Sequence, residues 1–393
     1  MFPTLILKKG REKSIINKHP WIFSGAIYSV TGKPENGDYI RITSSSGEIL
    51  GTGFFSPNSQ IRSRIVKFGK TVPDENYYKE RIQSAYLFRN RHIDSSKTDS
   101  FRLFFSESDG IPGVIIDKYN DVLSCQFLSA GAQRIKPAVI QILNDMFHPS
   151  AILEHADEKA AILEGFKPYQ GILSGTLENP LITIKENDLN FKVDVSGGQK
   201  TGFFLDQREN RQMLREFSGD AQILNCFSYS AGFSIYAVDG GARKVVSVDS
   251  SAQAIELAKA NIECNQQDQA KHELVIQDVF QYLSENQDKK FDIIILDPPA
   301  FIKKRTQIQS GARGYQNLNR MAMKLLKNDG LLFTFSCSHF MDDKLFRQVL
   351  HSAGIESGSN LHYIKSFGAG LDHAVSASFP ESAYLKGYCI RVF

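Results

Sequence analysis

The C-terminal half of the chain repeats one pattern, in which short apolar runs alternate with segments of helical periodicity. The apolar runs are Ile223–Phe227, Val245–Val248, Leu274–Ile276, Ile293–Leu296 and Leu331–Phe335. Helices are predicted between them, for example over Ser251–Cys264 and Asp342–Leu350. Continuous apolar strands separated by helices are typical of a parallel sheet covered on both faces, and therefore of an α/β fold. Ligands of such sheets bind at the carboxyl ends of the strands.

The upstream pattern predicts two further domains. Short strand candidates separated by turn residues predict a small β-barrel at the N-terminus. Residues 73–190 mix helix candidates, such as Glu75–Arg91, with strand candidates, such as Val122–Phe127, and predict an α+β unit. We therefore divide the chain into domains at residues 1–72, 73–190 and 191–393. The strand candidates of the first domain are Ile40–Ile42, Glu48–Phe55 and Ile61–Val66.

Composition narrows the class of protein. The chain has 393 residues, of which 42% are hydrophobic and 23% charged, so a disordered or collagen-like chain is excluded. No apolar run approaches the length of a membrane-spanning helix, and the first residues do not resemble a signal peptide. The five cysteines are scattered without a C-x-x-C pair, and there is no H-E-x-x-H motif. We therefore expect a cytoplasmic protein that holds no metal.

Charge is distributed unevenly, although the formal net charge is +3. Residues 1–73 carry 11 Lys and Arg against 4 Asp and Glu, whereas residues 74–190 carry 12 against 17. Residues 191–393 are nearly neutral. A basic N-terminal module on a near-neutral body predicts a polyanionic partner, with nucleic acid first.

Polar residues stand at the ends of the first three predicted C-terminal strands. Asp249 is placed to accept hydrogen bonds from ribose hydroxyls, and Asp278 is a candidate for an adenine amino group. Each acid could instead cap the helix that follows it. The loop that begins at Cys226 lacks the G-x-G-x-x-G of a dinucleotide site, which argues against a dehydrogenase.

The fourth and fifth strands end in residues suited to catalysis. Asp297 is followed by two prolines, which fix a rigid, extended turn at the catalytic edge of the sheet. Cys337 follows the fifth strand between two serines, where a cysteine can act as a nucleophile, although most cysteines are inert packing. The two residues together predict a reaction centre.

The segment between Pro298 and Asn328 contains basic side chains and no acid. A solvated helical face usually mixes charges, so this segment is predicted to hold phosphates beside Asp297 and Cys337. We select Lys303, Lys304, Arg305 and Arg313 as RNA-binding residues; the segment also contains Arg320, Lys324 and Lys327.

Four ordered motifs resemble a known family. They are GGQKTGFFLDQREN from Gly197, NCFSYSAGF from Asn225, DPPAF from Asp297 and FSCS from Phe335. Together they are similar to ribosomal RNA large-subunit methyltransferase I and its relatives, over essentially the whole chain. HPWIFSGAI resembles the start of that family's N-terminal PUA domain, ESDGIPGVIIDKY its central domain and YLKGY its last strand.

The resemblance implies an enzyme that uses S-adenosyl-L-methionine to make 5-methylcytosine in large-subunit (23S) rRNA. It implies an α/β Rossmann-like class I methyltransferase domain with a mostly parallel seven-stranded sheet, preceded by a PUA β-barrel and a central α+β domain. Large-subunit rRNA would be the partner. The resemblance implies neither a membrane partner nor a metal, and it leaves open whether the protein forms a homodimer.

The resemblance also assigns residue roles. Cys337 would be the nucleophile, and Asp297 would assist at the base. Asp206 and Gln207 would line the methionine end of the cofactor. The full implied cofactor set is Phe203, Asp206, Gln207, Cys226, Asp249, Ser250, Asp278 and Asp297. Ala231 departs from the family, which usually has Gly at that position.

Two other functions remain open from the sequence. Some relatives share the G-G-x-K-T-G and D-P-P motifs but methylate guanine and need no cysteine, so Cys337 favours cytosine. The second alternative is a non-catalytic RNA-binding factor of ribosome assembly, against which the strand-end acids argue.

Overall fold

The computed structural model describes residues 2–197 and 202–393. The chain forms two compact units. The N-terminal unit contains Met1–Ile184, Val193–Leu205 and Leu371–Ser382. The C-terminal unit contains Lys185–Lys192, Asp206–Gly370 and Ala383–Phe393.

The N-terminal unit begins with a six-stranded sheet in the order β2-β6-β5-β4-β1-β3. All neighbouring strands are antiparallel except β1 and β4, which are parallel. Alternation of apolar and polar positions buries one face, where Leu5, Ile40 and Ile65 pack together. The elements are β1 (Thr4–Leu7), α1 (Lys13–Ile16), β2 (Trp21–Phe23), β3 (Ile27–Thr31), β4 (Tyr39–Thr43), β5 (Ile49–Phe55) and β6 (Ile61–Phe68).

A five-stranded sheet follows in the same unit, in the order β11-β10-β9-β8-β7. Ile82 and Val139, from two long helices, pack against Leu103 and Ile116 of this sheet. The elements are α2 (Glu75–His92), β7 (Phe101–Phe105), α3 (Ser106–Asp109), β8 (Val114–Tyr119), β9 (Val122–Phe127), α4 (Ala130–Phe147), β10 (Ala151–Glu154), α5 (Glu158–Glu164) and β11 (Gly171–Gly175).

The chain passes from one unit to the other within a hairpin of β12 (Leu181–Glu186) and β13 (Leu189–Asp194). The strands and helices of the C-terminal unit then alternate. They are α6 (Arg208–Phe217), β14 (Gln222–Cys226), α7 (Gly232–Asp239), β15 (Lys244–Asp249), α8 (Ala252–Cys264), β16 (His272–Ile276), α9 (Val279–Glu285), β17 (Phe291–Leu296), α10 (Ile308–Leu325), β18 (Leu326–Ser336), α11 (Asp343–Ser357), β19 (Leu361–Phe367) and β20 (Lys386–Val392).

The C-terminal unit is built on one seven-stranded sheet, in the order β16-β15-β14-β17-β18-β20-β19. The first five strands of that order are parallel, and β20 is antiparallel to both of its neighbours. The mostly parallel seven-stranded sheet is therefore as the sequence and the resemblance predicted. The strand order reverses between β14 and β17, which is where ligands of such folds bind.

Within the part of the chain that the structure describes, no helix combines the length and the apolar character needed to cross a membrane.

Candidate active site

The loop after β14 has an unusual backbone. Phe227, Tyr229 and Ala231 have φ values of 58°, 46° and 62°, in the left-handed region that non-glycine residues rarely occupy. The backbone amide of Ala231 donates to the carbonyl of Ser228 at 2.8 Å. Ala231 thus adopts a backbone conformation that a glycine would adopt at less cost.

Asp249 holds this loop in place. Its carboxylate accepts hydrogen bonds from the backbone amides of Tyr229 and Ser251, both at 2.9 Å. The side chain of Ser251, not Asp249, caps α8 by accepting from the amide of Ala254 at 3.2 Å. Asp249 is therefore a half-buried acid at the carboxyl end of β15, and Ser250 beside it is exposed.

Asp278 is the N-cap of α9. Its side chain accepts a hydrogen bond from the backbone amide of Gln281 at 3.0 Å, and the residue is exposed. The helix-capping alternative is thus realised for Asp278. A second role at a bound ligand stays a prediction.

Gln207 connects the start of α6 to the acid that follows β17. The Gln207 amide nitrogen donates to Asp297 Oδ2 at 3.0 Å, and its amide oxygen accepts from Asn210 at 2.6 Å. Gln207 is buried, with 2% of its surface exposed, and Asp297 is half-buried. This chain of hydrogen bonds orients the Asp297 carboxylate.

Asp206, the residue before Gln207, is held from two sides. The Tyr384 hydroxyl donates to its Oδ2 at 2.5 Å, and its carbonyl oxygen accepts from the amide of Gly370 at 3.0 Å. Asp206 is buried, with 6% of its surface exposed. The two residues that the resemblance assigned to the methionine end are therefore fixed in position.

Cys337 lies beside the turn that carries Asp297. The Cys337 Sγ is 4.0 Å from the carbonyl oxygen of Pro298, the residue after Asp297. The neighbouring Ser338 joins the two loops, because its Oγ accepts from the amide of Ile302 at 3.2 Å and lies 3.0 Å from the Tyr315 hydroxyl. The structure thus brings the two predicted catalytic residues to one edge of the sheet.

Cys337 also differs from most of the other cysteines. Burial raises the pKa values of the thiols of Cys125, Cys226 and Cys389, which are buried in the cores of the units. A thiol with a raised pKa supplies little thiolate, which is the nucleophilic form. Cys337 is half-buried, as is Cys264 on α8, whose thiol pKa is also raised by burial.

The four basic residues selected for RNA binding follow the Asp297 turn in the sequence, and their side chains are exposed. They form no ion pair with any residue that the structure describes. By contrast, Arg320 pairs with Glu356 at 3.7 Å and Lys327 with Asp292 at 2.8 Å. Lys303, Lys304, Arg305 and Arg313 therefore keep their charges available to an external anion.

These residues suit an adenosyl cofactor with a methionine tail. Asp249 offers a carboxylate at the carboxyl end of β15, the place where ribose hydroxyls are bound in such folds. The Ser228 hydroxyl, in the loop after β14, is buried and has no hydrogen-bond partner among the described residues. A bound polar group would satisfy this hydroxyl. The donor set therefore fits the cofactor.

Three predicted parts of the cofactor site lie, respectively, in the core, in the N-terminal unit and outside the described residues: Cys226, Phe203 and most of the GGQKTG motif. The side chain of Cys226 lies fully buried in the core, so its contact with a cofactor would come from its backbone. Phe203 belongs to the N-terminal unit, where its carbonyl oxygen accepts from the Tyr119 hydroxyl at 3.3 Å. Residues 198–201 of the GGQKTG motif lie outside the described residues. Among the described residues, no group of three or more His, Cys, Asp or Glu side chains could hold a metal.

Sequence reasoning overlooked two polar residues at this site. Tyr384 and Lys386 flank the beginning of β20, which runs antiparallel to β18 and so starts at the edge where β18 ends. Both lie in the YLKGY motif, which resembles the last strand of the family. Their position follows from the class I fold, because an antiparallel last strand begins at the edge where the parallel strands end.

Comparisons with known proteins agree with this geometry. A family model described as a PUA-like domain matches residues 5–68, and one described as an S-adenosylmethionine-dependent methyltransferase matches residues 169–369. A protein of Klebsiella pneumoniae named ribosomal RNA large subunit methyltransferase I is 41% identical over 395 residues, covering 100% of this chain and 99% of the relative. The protein of that name from Salmonella typhi is also 41% identical, covering 100% and 98%.

Two solved structures have the same fold over their full length. A proposed S-adenosylmethionine-dependent methyltransferase from Streptococcus mutans has a TM-score of 0.85 at 25% identity. A second proposed methyltransferase, complexed with S-adenosylhomocysteine, has a TM-score of 0.86 at 24% identity. Each alignment covers 100% of both chains.

The sheet order, the acids at its strand ends and the two family models define an S-adenosylmethionine-dependent methyltransferase with an N-terminal PUA-like domain. The predicted fold class and cofactor are thereby confirmed. At 41% identity over its whole length, the chain belongs to the ribosomal RNA large subunit methyltransferase I family.

Proposed function

We propose that this chain methylates C5 of a cytosine in large-subunit (23S) rRNA through a transient bond between Cys337 Sγ and cytosine C6. The observation that carries the proposal is the position of Cys337, half-buried at the end of β18 and 4.0 Å from the Pro298 carbonyl. An enzyme that methylates a nitrogen needs no such nucleophile. The names of the relatives support large-subunit rRNA as the substrate.

The chemistry starts from the low nucleophilicity of cytosine C5. Addition of the Cys337 thiolate to C6 forms the Sγ–C6 bond and moves the electrons of the C5–C6 double bond toward C5 and the ring. Asp297, sharing a proton with N3, would relieve the charge that develops on the ring. The bound cofactor would supply an electrophilic methyl group, to which C5 forms its new carbon–carbon bond as the bond from that methyl group to the sulfonium sulfur breaks. Loss of the C5 proton to a base then restores the double bond as the Sγ–C6 bond breaks.

Cofactor binding is assigned to residues of the same sheet edge. Asp249 would hold the ribose, with Ser250 and Asp278 on the adenosine side. Asp206, Gln207 and Phe203 would face the methionine end. Asp297 would contact both the cofactor and the target base. Its hydrogen bond from Gln207 places it beside a residue assigned to the methionine end of the cofactor.

The RNA partner is assigned to two basic regions. Lys303, Lys304, Arg305 and Arg313 would hold phosphates near the target base, which must be single-stranded or flipped out to reach Cys337. The domain division at residues 1–72, 73–190 and 191–393 remains part of the proposal, with RNA binding assigned to the first domain. A ribosomal RNA substrate favours a cytoplasmic site of action.

The test compares wild-type protein with Cys337→Ala on 23S rRNA prepared from cells that lack this protein. We expect 5-methylcytosine with the wild type and none with Cys337→Ala, by nucleoside mass spectrometry. Cys264→Ala, a half-buried cysteine on α8, is the matched control and should remain active. Full activity of Cys337→Ala would overturn the covalent route. A methylguanine product would support the guanine-directed alternative, and absence of cofactor binding by calorimetry would support a non-catalytic factor.

A further inference from the structure

Lys386 stands at the sheet edge where Cys337 is found. It is the first residue of β20, and in the antiparallel ladder with β18 it lies directly opposite Ser336, the residue before Cys337. The Lys386 ammonium donates to the carbonyl oxygen of Ser338, the residue after Cys337, at 3.1 Å. The lysine is thereby attached to the short segment that presents the sulfur.

Lys386 has no carboxylate within ion-pair distance among the residues that the structure describes. The side chain is half-buried, and among the described residues it makes no ion pair within 4.0 Å. Burial lowers the pKa of Lys386, while the negative charges of Cys337, Asp342 and Asp343 act in the opposite direction. A half-buried ammonium without a close carboxylate gains from an anion beside it.

The other charged and titratable groups of this edge have partners of their own. Asp342 caps α11 by accepting from the amide of Leu345 at 2.8 Å. Asp343 accepts from Arg347 at 3.0 Å and from the Tyr388 hydroxyl. On the opposite side, Tyr315 of α10 is bound to Ser338, and Asp297 is bound to Gln207.

We propose that Lys386 is the cation that keeps the Cys337 sulfur in its thiolate form, and so acts as a positioning residue for the nucleophile. This role rests on the proposed covalent function. A fixed cation close to a thiol stabilises the thiolate, which is the form that attacks C6. The hydrogen bond to the Ser338 carbonyl keeps the ammonium from turning away into solvent.

The test measures the thiolate of Cys337 directly, without RNA or cofactor. Wild-type protein and Lys386→Met are pulsed with iodoacetamide across a series of pH values, and alkylation of the Cys337 peptide is quantified by mass spectrometry. We expect the alkylation rate of Cys337 near neutral pH to fall by at least about tenfold in Lys386→Met, with its pH midpoint moved upward. Lys386→Arg should retain most of the wild-type profile.

Matched controls separate charge from packing. Lys365→Met removes an exposed lysine from the neighbouring strand β19, opposite Cys389, and should leave the Cys337 profile unchanged. Thermal melting identifies any variant that fails to fold, and Lys386→Gln provides a second neutral variant. An unchanged profile in both folded neutral variants would overturn the proposal. Equal loss in Lys386→Arg and Lys386→Met would also overturn it, since packing and not charge would then be the cause.

This readout is independent of the methylation assay. If Cys337→Ala methylates normally, the covalent function fails while the alkylation profile still reports what Lys386 does to the sulfur. If Cys337→Ala is inactive and the profile is unchanged in Lys386→Met, the function stands and the role of Lys386 fails. We further expect the pH profile of kcat for Lys386→Met to move upward together with the alkylation midpoint.

Discussion

At the scale of single residues, a buried amide orients Asp297, the acid that we propose acts at the target base. Gln207 is buried, and it donates to Asp297 while accepting from Asn210. Asn210 in turn donates to the carbonyl of Gly368 at 3.0 Å. Because each member is held by the next, Asp297 has a defined orientation before any ligand binds. Such pre-organisation contributes to catalysis because the acid need not be reoriented in the transition state.

Replacing Gln207 by Leu should therefore reduce catalysis. The variant keeps the approximate volume but removes the donor to Asp297, a hydrogen bond to a charged group worth about 1.5–3 kcal/mol. We expect kcat for methyl transfer to fall by about tenfold or more. Gln212→Leu, on helix α6 that follows Gln207, is the control, because the Gln212 amide oxygen has no hydrogen-bond partner among the described residues. A wild-type kcat in Gln207→Leu would show that this link is dispensable.

At the scale of elements, a buried ion pair fixes helix α6, which follows Asp206 and Gln207. Arg211 of α6 donates to both carboxylate oxygens of Glu186, at 2.8 and 2.7 Å, and both side chains are at most 3% exposed. The Tyr236 hydroxyl of α7 donates to the same carboxylate at 3.0 Å. Glu186 therefore ties the end of β12, α6 and α7 together within the C-terminal unit.

Breaking this ion pair from one side should be costly. Glu186→Gln removes the carboxylate charge that two hydrogen bonds join to the buried Arg211 guanidinium. Breaking a buried ion pair from one side typically destabilises a protein by about 3–5 kcal/mol. The double variant Glu186→Leu/Arg211→Met removes both charges and should lose less. Urea denaturation of the three proteins measures the difference. If Glu186→Gln lost less than about 1 kcal/mol of unfolding free energy, the ion pair between Glu186 and Arg211 would not be what fixes α6.

Strand β16 makes the stability of the C-terminal unit depend on pH. Burial lowers the pKa of His272, at the start of β16, to about 4. Its Nε2 lies 2.9 Å from the Gln267 amide oxygen, while Nδ1 has no hydrogen-bond partner among the described residues. An unfolded chain, with a histidine pKa of about 6.5, takes up a proton first as the pH falls. The stabilising contribution of neutral His272 is therefore complete above about pH 6.5 and is lost between about 6.5 and 4.

The expected size of this effect is about 2–3 kcal/mol. In His272→Gln, the free energy of unfolding should change less than in the wild type between neutral pH and a pH slightly above 4. Chemical denaturation at the two pH values measures it. Identical pH dependence in the two proteins would show that His272 does not titrate as its burial implies.

The alternation of apolar runs predicted the parallel strands well, because their residues are buried on both faces of the sheet. Elements with weaker patterns were missed. In β10 all four residues are buried, but the run is short, and β19 is an edge strand with five exposed residues in its middle. The link between Gln207 and Asp297 spans 90 residues, and only the fold brings the two together.

At the scale of the whole molecule, basic residues are found in both units, and the chain returns to the N-terminal unit near its end. Residues 1–73 carry a net charge of +7 and contain the PUA-like domain. The exposed Lys303, Lys304, Arg305 and Arg313, which form no ion pair with the described residues, belong to the C-terminal unit. Leu371–Ser382 returns to the N-terminal unit, where buried Asp372 accepts from the amide of Arg102 at 2.8 Å. No local pattern in the sequence indicates this return.

Binding of rRNA should depend strongly on salt. Replacing Lys303, Lys304, Arg305 and Arg313 by Gln should lower the slope of log K against log salt concentration by about 3, since each contact to single-stranded RNA contributes about 0.7. Fluorescence titrations over a salt series measure the slope. An unchanged slope would place the phosphate contacts elsewhere. The charge-matched control replaces the exposed lysines Lys259, Lys289, Lys290 and Lys365 by Gln and should leave the slope unchanged.

The covalent bond from Cys337 to cytosine is the central claim, and trapping it is the most direct test. In RNA that carries 5-fluorocytosine at the target, the C5 substituent cannot leave as a proton, so the adduct should accumulate in the presence of S-adenosyl-L-methionine. We predict an RNA–protein complex that survives denaturation, carries a transferred methyl group and maps to Cys337 by peptide mass spectrometry. Methylation of unmodified RNA without any trapped complex, or a complex that maps to another residue, would contradict this account.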